Sequence, residues 1–176
     1  MMIYLVRHGQ TDLNKKNVMQ GVSDTPLNEE GLKQAYNVKE KIKNINFDIC
    51  FSSPLKRTLD TAKIITDGKC NIVTNNLLIE RDLGRFEKMP YDDYKKYDFW
   101  NLKENLNYNK VEPVKNVFKR AKKFLKEIKN SDYKTVLVVS HHAIIRALHF
   151  NIIGYDDSTS LLSFHPENGK IYKYEI

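Results

Sequence analysis

The sequence predicts an α/β protein, a three-layer α/β/α sandwich with a mostly parallel central sheet of about six strands. Short apolar runs alternate with segments of helical periodicity, which is the rhythm of βαβ units. Basic side chains follow three of these runs: Arg7 and His8, Arg57, and the pair His141 and His142. Because parallel strands end at one edge of a sheet, we expect these side chains to lie together. The 176 residues, 41% of them hydrophobic, suit one domain spanning residues 1–176.

Six apolar runs are typical of strands, because they are short, rich in β-branched or aromatic residues and bounded by turn residues. The run TVLVVS is the clearest of them. Pro166 to Gly169 separate the last two runs, which predicts a hairpin there. The six runs are residues 2–6, 47–51, 71–74, 135–140, 161–164 and 170–176.

Segments of helical periodicity lie between the strands. Asn28 or Glu29 opens the first helix, and Pro54 marks the start of a second helix that runs to about Thr66. A long helix extends from about Pro113 to Lys129, and a short one follows residue 140. The positions expected to face inward in the first two helices are Leu32, Ala35, Val38, Ile42 and Ile45, then Leu55, Leu59, Ala62 and Ile65.

The net charge of +7 raises the question of nucleic-acid binding. Much of the excess lies between Lys110 and Lys134, where nine residues are Lys or Arg and three are acidic. On a helix these lysines lie opposite an apolar stripe, so the segment is interpreted as a solvated helix face without a nucleic-acid partner. No apolar run approaches the roughly 20 residues of a membrane span, and the N-terminus lacks the features of a signal peptide. We therefore expect a cytoplasmic protein that is a monomer or a weak homodimer.

The two cysteines, Cys50 and Cys70, match no zinc or disulfide pattern and are expected to be small buried hydrophobes. A cysteine-based phosphatase would require five residues between its cysteine and an arginine. Six residues separate Cys50 from Arg57, and the intervening stretch FSSPLK has no glycine. This spacing argues against a cysteine nucleophile.

The basic groups at the predicted sheet edge are suited to an anion. Arginine matches phosphate oxygens two at a time, and helix N-termini add unpaired amide donors. No acidic cluster accompanies these groups, so the sequence predicts neither a metal nor another cofactor. Neutral imidazole can act as a nucleophile toward a bound phosphate. A small-molecule phosphomonoester is therefore the expected substrate.

Six sequence blocks extend this interpretation over nearly the whole chain. They are RHGQTDLN (7–14), Gln20-Gly21, DTPLNEEGLKQA (24–35), SSPLKRTLDTA (52–62), LLIERDLGRFE (77–87) and VSHHAIIRAL (139–148). With these blocks the chain resembles the histidine phosphatase superfamily, the phosphoglycerate mutase-like enzymes, and within it the phosphatase branch. A lone Arg-His-Gly would be weak evidence, whereas the blocks occur together and in the family's order.

The resemblance implies a metal-independent phosphomonoester hydrolase that works through a phosphohistidine. His8 would attack phosphorus through Nε2 while a backbone carbonyl holds Nδ1. Glu80 would protonate the leaving alcohol and then serve as base for the water that clears the phosphohistidine. The groups expected to neutralise the phosphoryl oxygens are Arg7, Arg57 and His141.

Four further residues are expected to contact the substrate: Asn14, Gln20, Gly21 and His142. Asn14 would donate a hydrogen bond to the phosphoryl group. His142 occupies a position where the family usually has glycine. If that position requires a positive φ, histidine is strained there; otherwise its side chain adds a donor to the pocket.

Several neighbouring residues keep alternative interpretations. Glu80 shares its segment with two other acidic residues, and Glu87 could instead brace an arginine. Arg81 and Arg85 could be pocket groups, although surface placement is the default for them. Arg146 and His149 are expected to have structural roles.

Residues 82–112 are expected to form a short lid, in which Lys88 replaces part of the family's usual Glu-Gly pair. A short, open lid favours hydrolysis, because a mutase must protect its phosphorylated intermediate from water. Two alternatives stay open: a phosphoglycerate mutase, and a non-catalytic phosphate-binding module. The lid aromatics either face the pocket or pack the lid onto the body; they are Tyr91, Tyr94, Tyr97, Phe99, Trp100 and Tyr108.

Overall fold

The computed structural model describes residues 1–176 and confirms the α/β class. Its central sheet has five strands, so the expected number of about six is wrong. The strands are short, and their burial is greatest in β1 and β4, which lie inside the sheet. Their bounds are Met2–Arg7 (β1), Ile49–Ser52 (β2), Ile72–Thr74 (β3), Thr135–Ser140 (β4) and Ile171–Glu175 (β5).

Six α-helices connect the strands, and two of them begin at side-chain caps. Thr11 and Asn14 form a capping box at the first helix, and the Asn28 side chain accepts a hydrogen bond from the Gly31 amide at the second. The helices are Asp12–Lys15 (α1), Glu29–Ile42 (α2), Lys56–Thr66 (α3), Tyr91–Tyr94 (α4), Val114–Lys129 (α5) and His142–Ile153 (α6).

The order of strands across the sheet is β3-β2-β4-β1-β5, and only β5 runs antiparallel to its neighbour. Arg7 lies opposite Ser140 in the pairing of β1 with β4, and Ser52 lies opposite Val139 in the pairing of β2 with β4. The carboxyl ends of these three strands are therefore level at one edge. Chain segments that leave this edge carry the basic residues singled out above.

Two buried clusters lie on opposite faces of the sheet. One joins α5 and α6 to strand residues such as Leu5 and Val138. The other joins α2 and α3 to Val6 and Val139, the alternate positions of the same strands. The predicted apolar stripe of α5 is confirmed, since its buried residues are Val114, Val117, Phe118, Ala121, Phe124, Leu125 and Ile128.

The predicted strand at residues 161–164 is wrong, and so is the hairpin. Leu161–Ser163 form a turn of 3₁₀-helix, with Leu162 exposed. Strand β5 is an edge strand that pairs only with β1, so this segment does not extend the sheet. The carbonyl of Phe164 instead accepts a hydrogen bond from Arg146.

Leu32 and Cys70, which were both expected to be buried, are more exposed than predicted. Leu32 is 41% exposed, because Gly31 faces the core in its place and lies against the backbone of Gln10. Cys50 is fully buried as expected, whereas Cys70 is only half-buried.

Residues 82–112 contain only short helical turns and one α-helix, α4. They surround a small apolar cluster of their own, made of Leu83, Phe86, Tyr94, Phe99 and Val111. No helix of the chain has the length and apolar character needed to cross a membrane.

Candidate active site

A cavity of about 530 Å³ opens at the carboxyl ends of β1, β2 and β4. Eight of the nine predicted site residues line it: Arg7, His8, Asn14, Gln20, Gly21, Arg57, Glu80 and His142. The ninth, His141, is fully buried behind the wall, with its ring centroid 5.2 Å from that of His8.

His8 is held as a single neutral tautomer. Its Nδ1 lies 2.7 Å from the carbonyl oxygen of Gly9, which can only accept, so Nδ1 carries the proton. Its Nε2 lies 3.3 Å from Nε of Arg57, which can only donate. Burial, followed by the charges of Arg57 and Arg7, lowers the pKa of His8 well below its ordinary 6.5. The Nε2 lone pair therefore points toward the Arg57 guanidinium, which also lines the cavity.

Arg57 is fixed by the backbone of a neighbouring turn. It lies in the first turn of α3, is 1% exposed, and donates 2.8 Å hydrogen bonds to the carbonyls of Ser23 and Gly21. Glu87 accepts hydrogen bonds from the amides of Val22 and Ser23, at 2.7 and 3.0 Å, and braces that turn. Burial lowers the pKa of Arg57.

Arg7 is anchored from the other side of the site. One of its terminal nitrogens donates a 2.8 Å hydrogen bond to the carbonyl of Pro166, whereas its buried Nε has no partner. Burial lowers the pKa of Arg7 to about 10, against the opposing effect of Glu80. Arg7 and Arg57 thus bring two guanidinium groups to His8, and neither is paired with a carboxylate.

His141 caps the start of α6 and contacts the end of β2. Its Nε2 lies 2.7 Å from the hydroxyl of Ser53, and its buried Nδ1 has no partner. Burial, with the charge of Arg57 next in effect, lowers the pKa of His141 well below 6.5. The structure thus places a second neutral imidazole edge-on to His8.

The Glu80 carboxylate is hydrogen-bonded to the amino end of α6. Its Oε1 accepts from the amides of Arg81 and Ala143, at 2.8 and 3.1 Å. Its Oε2 has only the longer 3.3 Å contact with Ala143. One carboxylate oxygen is thereby fixed by two amides, and the other makes a single longer contact.

Asn14 presents its amide nitrogen to the cavity. Its Oδ1 accepts from the Thr11 amide at 3.1 Å and from Nδ2 of Asn168 at 3.4 Å, which orients the NH₂ group away from these donors. The side-chain amide of Gln20 is hydrogen-bonded at both ends: its nitrogen donates to the Thr11 hydroxyl and its oxygen accepts from the Thr25 hydroxyl, each at 2.6 Å.

Gly21 and His142 differ in their backbone requirements. Gly21 has a φ of 54°, and a side chain there would overlap the Glu87 carboxylate. His142 is the first residue of α6 and is absent from the positive-φ positions, so the expected risk of strain does not arise. Its Nε2 lies 3.3 Å from both His165 Nδ1 and an Arg146 terminal nitrogen.

Sequence reasoning missed several residues of the cavity wall. Surface placement of Arg81 is wrong, since it is fully buried, while Arg85 is exposed as expected. Arg146 is 2% exposed and lines the cavity; its spacing of four residues from His142, which places both on one helix face, was the available signal. The others that line the cavity without having been predicted include His165 and Asn168.

Of the six aromatic residues in 82–112, three meet the expectation of facing the pocket, and the other three contact rings of the same segment. Tyr91, Tyr94 and Trp100 line the cavity, whereas the other three rings do not. Phe99 is fully buried and packs against Phe86. His149, which lies outside the cavity wall, stacks on Phe164 in the role expected for it.

The sequence pattern of the histidine phosphatase superfamily (branch 1) matches residues 3–176. The uncharacterized phosphatase PhoE of Bacillus subtilis (strain 168) is 36% identical over 187 aligned residues, covering 99% of this chain and 94% of the relative. Phosphoserine phosphatase 1 of Hydrogenobacter thermophilus is 33% identical over 162 aligned residues, covering 88% of this chain and 77% of the relative.

The solved structure of YhfR from Bacillus stearothermophilus superposes with a TM-score of 0.88 at 26% identity, covering 99% of this chain and 91% of the other. The sequence comparison and the structural comparison thus agree for this chain, which carries the histidine pair and the arginines at one sheet edge. Two relatives that align with most of this chain are named as phosphatases, and this chain belongs to the histidine phosphatase superfamily, branch 1.

Proposed function

We propose that residues 1–176 form a single metal-independent phosphomonoesterase domain that acts through a phosphohistidine on His8. The observation that carries the proposal is the fixed tautomer of His8, whose Nδ1–H is held by the Gly9 carbonyl at 2.7 Å. This leaves a buried, unprotonated Nε2 beside the Arg57 guanidinium. A neutral imidazole next to an anion-binding arginine is what nucleophilic attack on phosphorus requires.

The first half-reaction breaks the ester bond. His8 Nε2 attacks phosphorus, an N–P bond forms, and the bond between phosphorus and the leaving oxygen breaks. Glu80, as a carboxylic acid, gives its proton to that oxygen. Arg7 and Arg57, with His141 and the Asn14 amide, stabilise the charge that develops on the phosphoryl oxygens.

The second half-reaction returns the enzyme to its starting state. Water attacks the phosphohistidine, the N–P bond breaks, and the Glu80 carboxylate takes up the proton that the water releases. The two amides on Oε1 support this role, because they fix the carboxylate while leaving Oε2 less engaged. His8 regains its neutral form as phosphate departs.

Hydrolysis is favoured over phosphoryl transfer between hydroxyls. The three relatives that this chain covers most fully are named as phosphatases, two of them as phosphoserine phosphatases, one of these putative. Residues 82–112, which we propose as the lid, bring three aromatic rings to the cavity within a short segment. Such a lid leaves water access to the phosphohistidine, which a mutase must restrict.

The test is phosphate release from a panel of phosphomonoesters in excess EDTA, for the wild type, His8→Ala and the control His149→Gln. His149 pairs with the Tyr174 hydroxyl outside the cavity, so its variant should keep full activity. Release by the wild type and the control, but not by His8→Ala, supports the proposal. Equal release by His8→Ala contradicts it.

Two other results would each replace the proposal with an alternative. Isomerisation of a phosphoglycerate that depends on a bisphosphate primer would identify a mutase. Thermal stabilisation by phosphate or vanadate, without turnover of any ester, would identify a phosphate-binding module.

A further inference from the structure

One buried contact at the sheet edge joins the ends of two strands. Ser53 follows β2 directly, and its hydroxyl oxygen lies 2.7 Å from Nε2 of His141, which follows β4. Both residues are fully buried. Ser53 does not line the cavity, so it acts on the proposed chemistry through His141 or not at all.

The other hydrogen bond of the Ser53 side chain decides the direction of this contact. Its oxygen accepts a 3.4 Å hydrogen bond from the Leu55 amide, and the one acceptor near its own proton is Nε2 of His141. If His141 Nε2 were the donor instead, the buried hydroxyl proton would be left unsatisfied, which is costly. Ser53 therefore donates, and His141 Nε2 accepts.

The proton of the His141 ring must then lie on Nδ1. Burial, with the charge of Arg57 next in effect, holds the pKa of His141 well below 6.5, so the ring is neutral and carries a single proton. Since Nε2 accepts, Nδ1 is the donor. This buried Nδ1 has no partner in the protein. An unpartnered buried donor indicates a group that a ligand completes.

The surroundings of this donor point to a phosphoryl oxygen as its partner. The His141 ring meets the ring of His8, the proposed nucleophile, edge-on with centroids 5.2 Å apart. Arg57 and Arg7, whose charges act on the His141 ring, line the cavity beside His8. A neutral N–H stabilises negative charge that develops on a phosphoryl oxygen in such a site. The other tautomer would present a lone pair, which repels that charge.

We propose that Ser53 is a positioning residue, which fixes His141 in the tautomer with its proton on Nδ1 and so makes His141 a neutral donor to the phosphoryl oxygens. Its effect on rate rests on the proposed phosphatase function, whereas the tautomer is a property of the free protein. Both imidazoles then carry their proton on Nδ1. In His8 the Gly9 carbonyl accepts that proton and leaves Nε2 as nucleophile, and in His141 the same proton is left for the ligand.

Nitrogen NMR tests the tautomer directly, because protonated and unprotonated imidazole nitrogens resonate far apart. We expect the wild type to show a protonated Nδ1 and an unprotonated Nε2 for His141, with these signals assigned by their loss in His141→Asn. Ser53→Ala should give a mixture of tautomers, and Ser53→Thr, which keeps the hydroxyl, should restore the wild-type pattern. A wild-type proton on Nε2, or an unchanged pattern in Ser53→Ala, overturns the proposal.

Ser52→Ala is the matched control for loss of a buried hydroxyl. Ser52 is as buried as Ser53, but its hydroxyl donates to the Ser53 carbonyl at 2.9 Å and not to an imidazole. This variant should lower the free energy of unfolding and leave the His141 tautomer unchanged. A merely structural role for Ser53 would make Ser53→Ala behave in the same way, and that result contradicts a positioning role.

Phosphate release tests which nitrogen of His141 acts. An asparagine amide can reach the position of Nδ1, whereas a glutamine amide reaches that of Nε2. We expect kcat of His141→Asn to exceed that of His141→Gln by about tenfold. Ser53→Ala should lower the kcat of the wild type by about tenfold with KM little changed, and should have little effect in the His141→Asn background. Equal kcat for the two His141 variants, or an effect of Ser53→Ala that persists undiminished in that background, overturns the proposal.

Failure of the proposed function is distinguishable from failure of this assignment. If the wild type hydrolyses no ester, inorganic phosphate is added to the NMR sample, and its binding is verified by thermal shift. A change in the His141 Nδ1–H signal on phosphate binding, weakened in Ser53→Ala, supports the assignment. Binding of phosphate that leaves this signal unchanged overturns it.

Discussion

The Nε of Arg57 lies 3.3 Å from Nε2 of His8, and the two side chains are 1% and 2% exposed. The remaining nitrogens of Arg57 are held by the carbonyls of Ser23 and Gly21. Three contacts thus fix the guanidinium plane, and one of them is to Nε2 of His8, the proposed nucleophile. A lysine ammonium cannot reproduce that fork.

Arg57→Lys is expected to lower kcat by about 100-fold, because a fixed donor at the developing phosphoryl charge is lost. Steady-state phosphate release measures this effect, with unfolding midpoints to confirm that the variant is folded. Arg85→Lys makes the same exchange on the surface and should be unchanged. Retention of full kcat by Arg57→Lys would show that charge alone suffices.

The folded protein is expected to lose stability as the pH falls below about 6.5, because its buried histidines resist protonation. Burial lowers the pKa of His8, His141 and His142 well below 6.5. The unfolded chain therefore binds more protons than the folded chain in this range, so the free energy of unfolding rises with pH. Each histidine contributes up to about 1.4 kcal/mol per pH unit.

Urea unfolding between about pH 5 and about pH 7, in buffers free of phosphate, measures that slope, since carboxyl groups of ordinary pKa stay ionised there. His141→Gln removes one of the three groups and should give a shallower slope. A free energy of unfolding that is constant over this range, or that rises as the pH falls, would contradict the prediction.

Glu87→Gln is expected to weaken catalysis through Arg57 without touching the substrate. The carboxylate accepts hydrogen bonds from the Val22 amide and from the amide and hydroxyl of Ser23. Glutamine has one acceptor oxygen, so the turn that holds Arg57 should loosen. The expected changes are about tenfold in kcat and about 1–3 kcal/mol in stability.

Glu104→Gln is the control for this prediction, since Glu104 is exposed. A merely structural role for Glu87 would lower stability alone. The double variant Glu87→Gln with Arg57→Lys separates the two cases, because a positioning role makes the effects on kcat less than additive.

Asn168→Ala is expected to lower kcat by about tenfold, because Asn168 holds two parts of the site in register. Its Nδ2 donates to the His8 carbonyl at 2.8 Å and to Asn14 Oδ1 at 3.4 Å. Loss of that amide frees the Asn14 side chain to rotate. A cycle with Asn14→Ala checks the mechanism: additive effects would contradict it, whereas coupling supports it. Asn107→Ala, at an exposed position, serves as the control.

Much of the site could be predicted from sequence because strand ends are local features. Arg7 and His8 follow β1, and His141 and His142 follow β4, so a parallel sheet brings them to one edge whatever the details of packing. The same logic correctly places Arg57 after β2. These predictions need only the strand boundaries and the direction of pairing.

The residues that were missed depend on tertiary contacts that no local pattern encodes. Arg81 is buried because the segment carrying Tyr94 and Phe99 folds over it. Asn168 reaches His8 from a loop 160 residues away in sequence. The mistaken strand at 161–164 has the same origin: its apolar residues match a strand, but the segment forms a 3₁₀ turn, and the Phe164 carbonyl accepts a hydrogen bond from Arg146 on α6.

The contact between Gly9 and Gly31 links the loop after His8 to helix α2. A side-chain atom at either glycine would overlap backbone of the other segment, so no deformable side chain separates them. If phosphate binding displaces the loop after His8, this contact requires α2, a helix about 21 Å long, to move with it. We expect a fluorescent label at exposed Lys43, just past the far end of that helix, to report when the phosphate site is occupied.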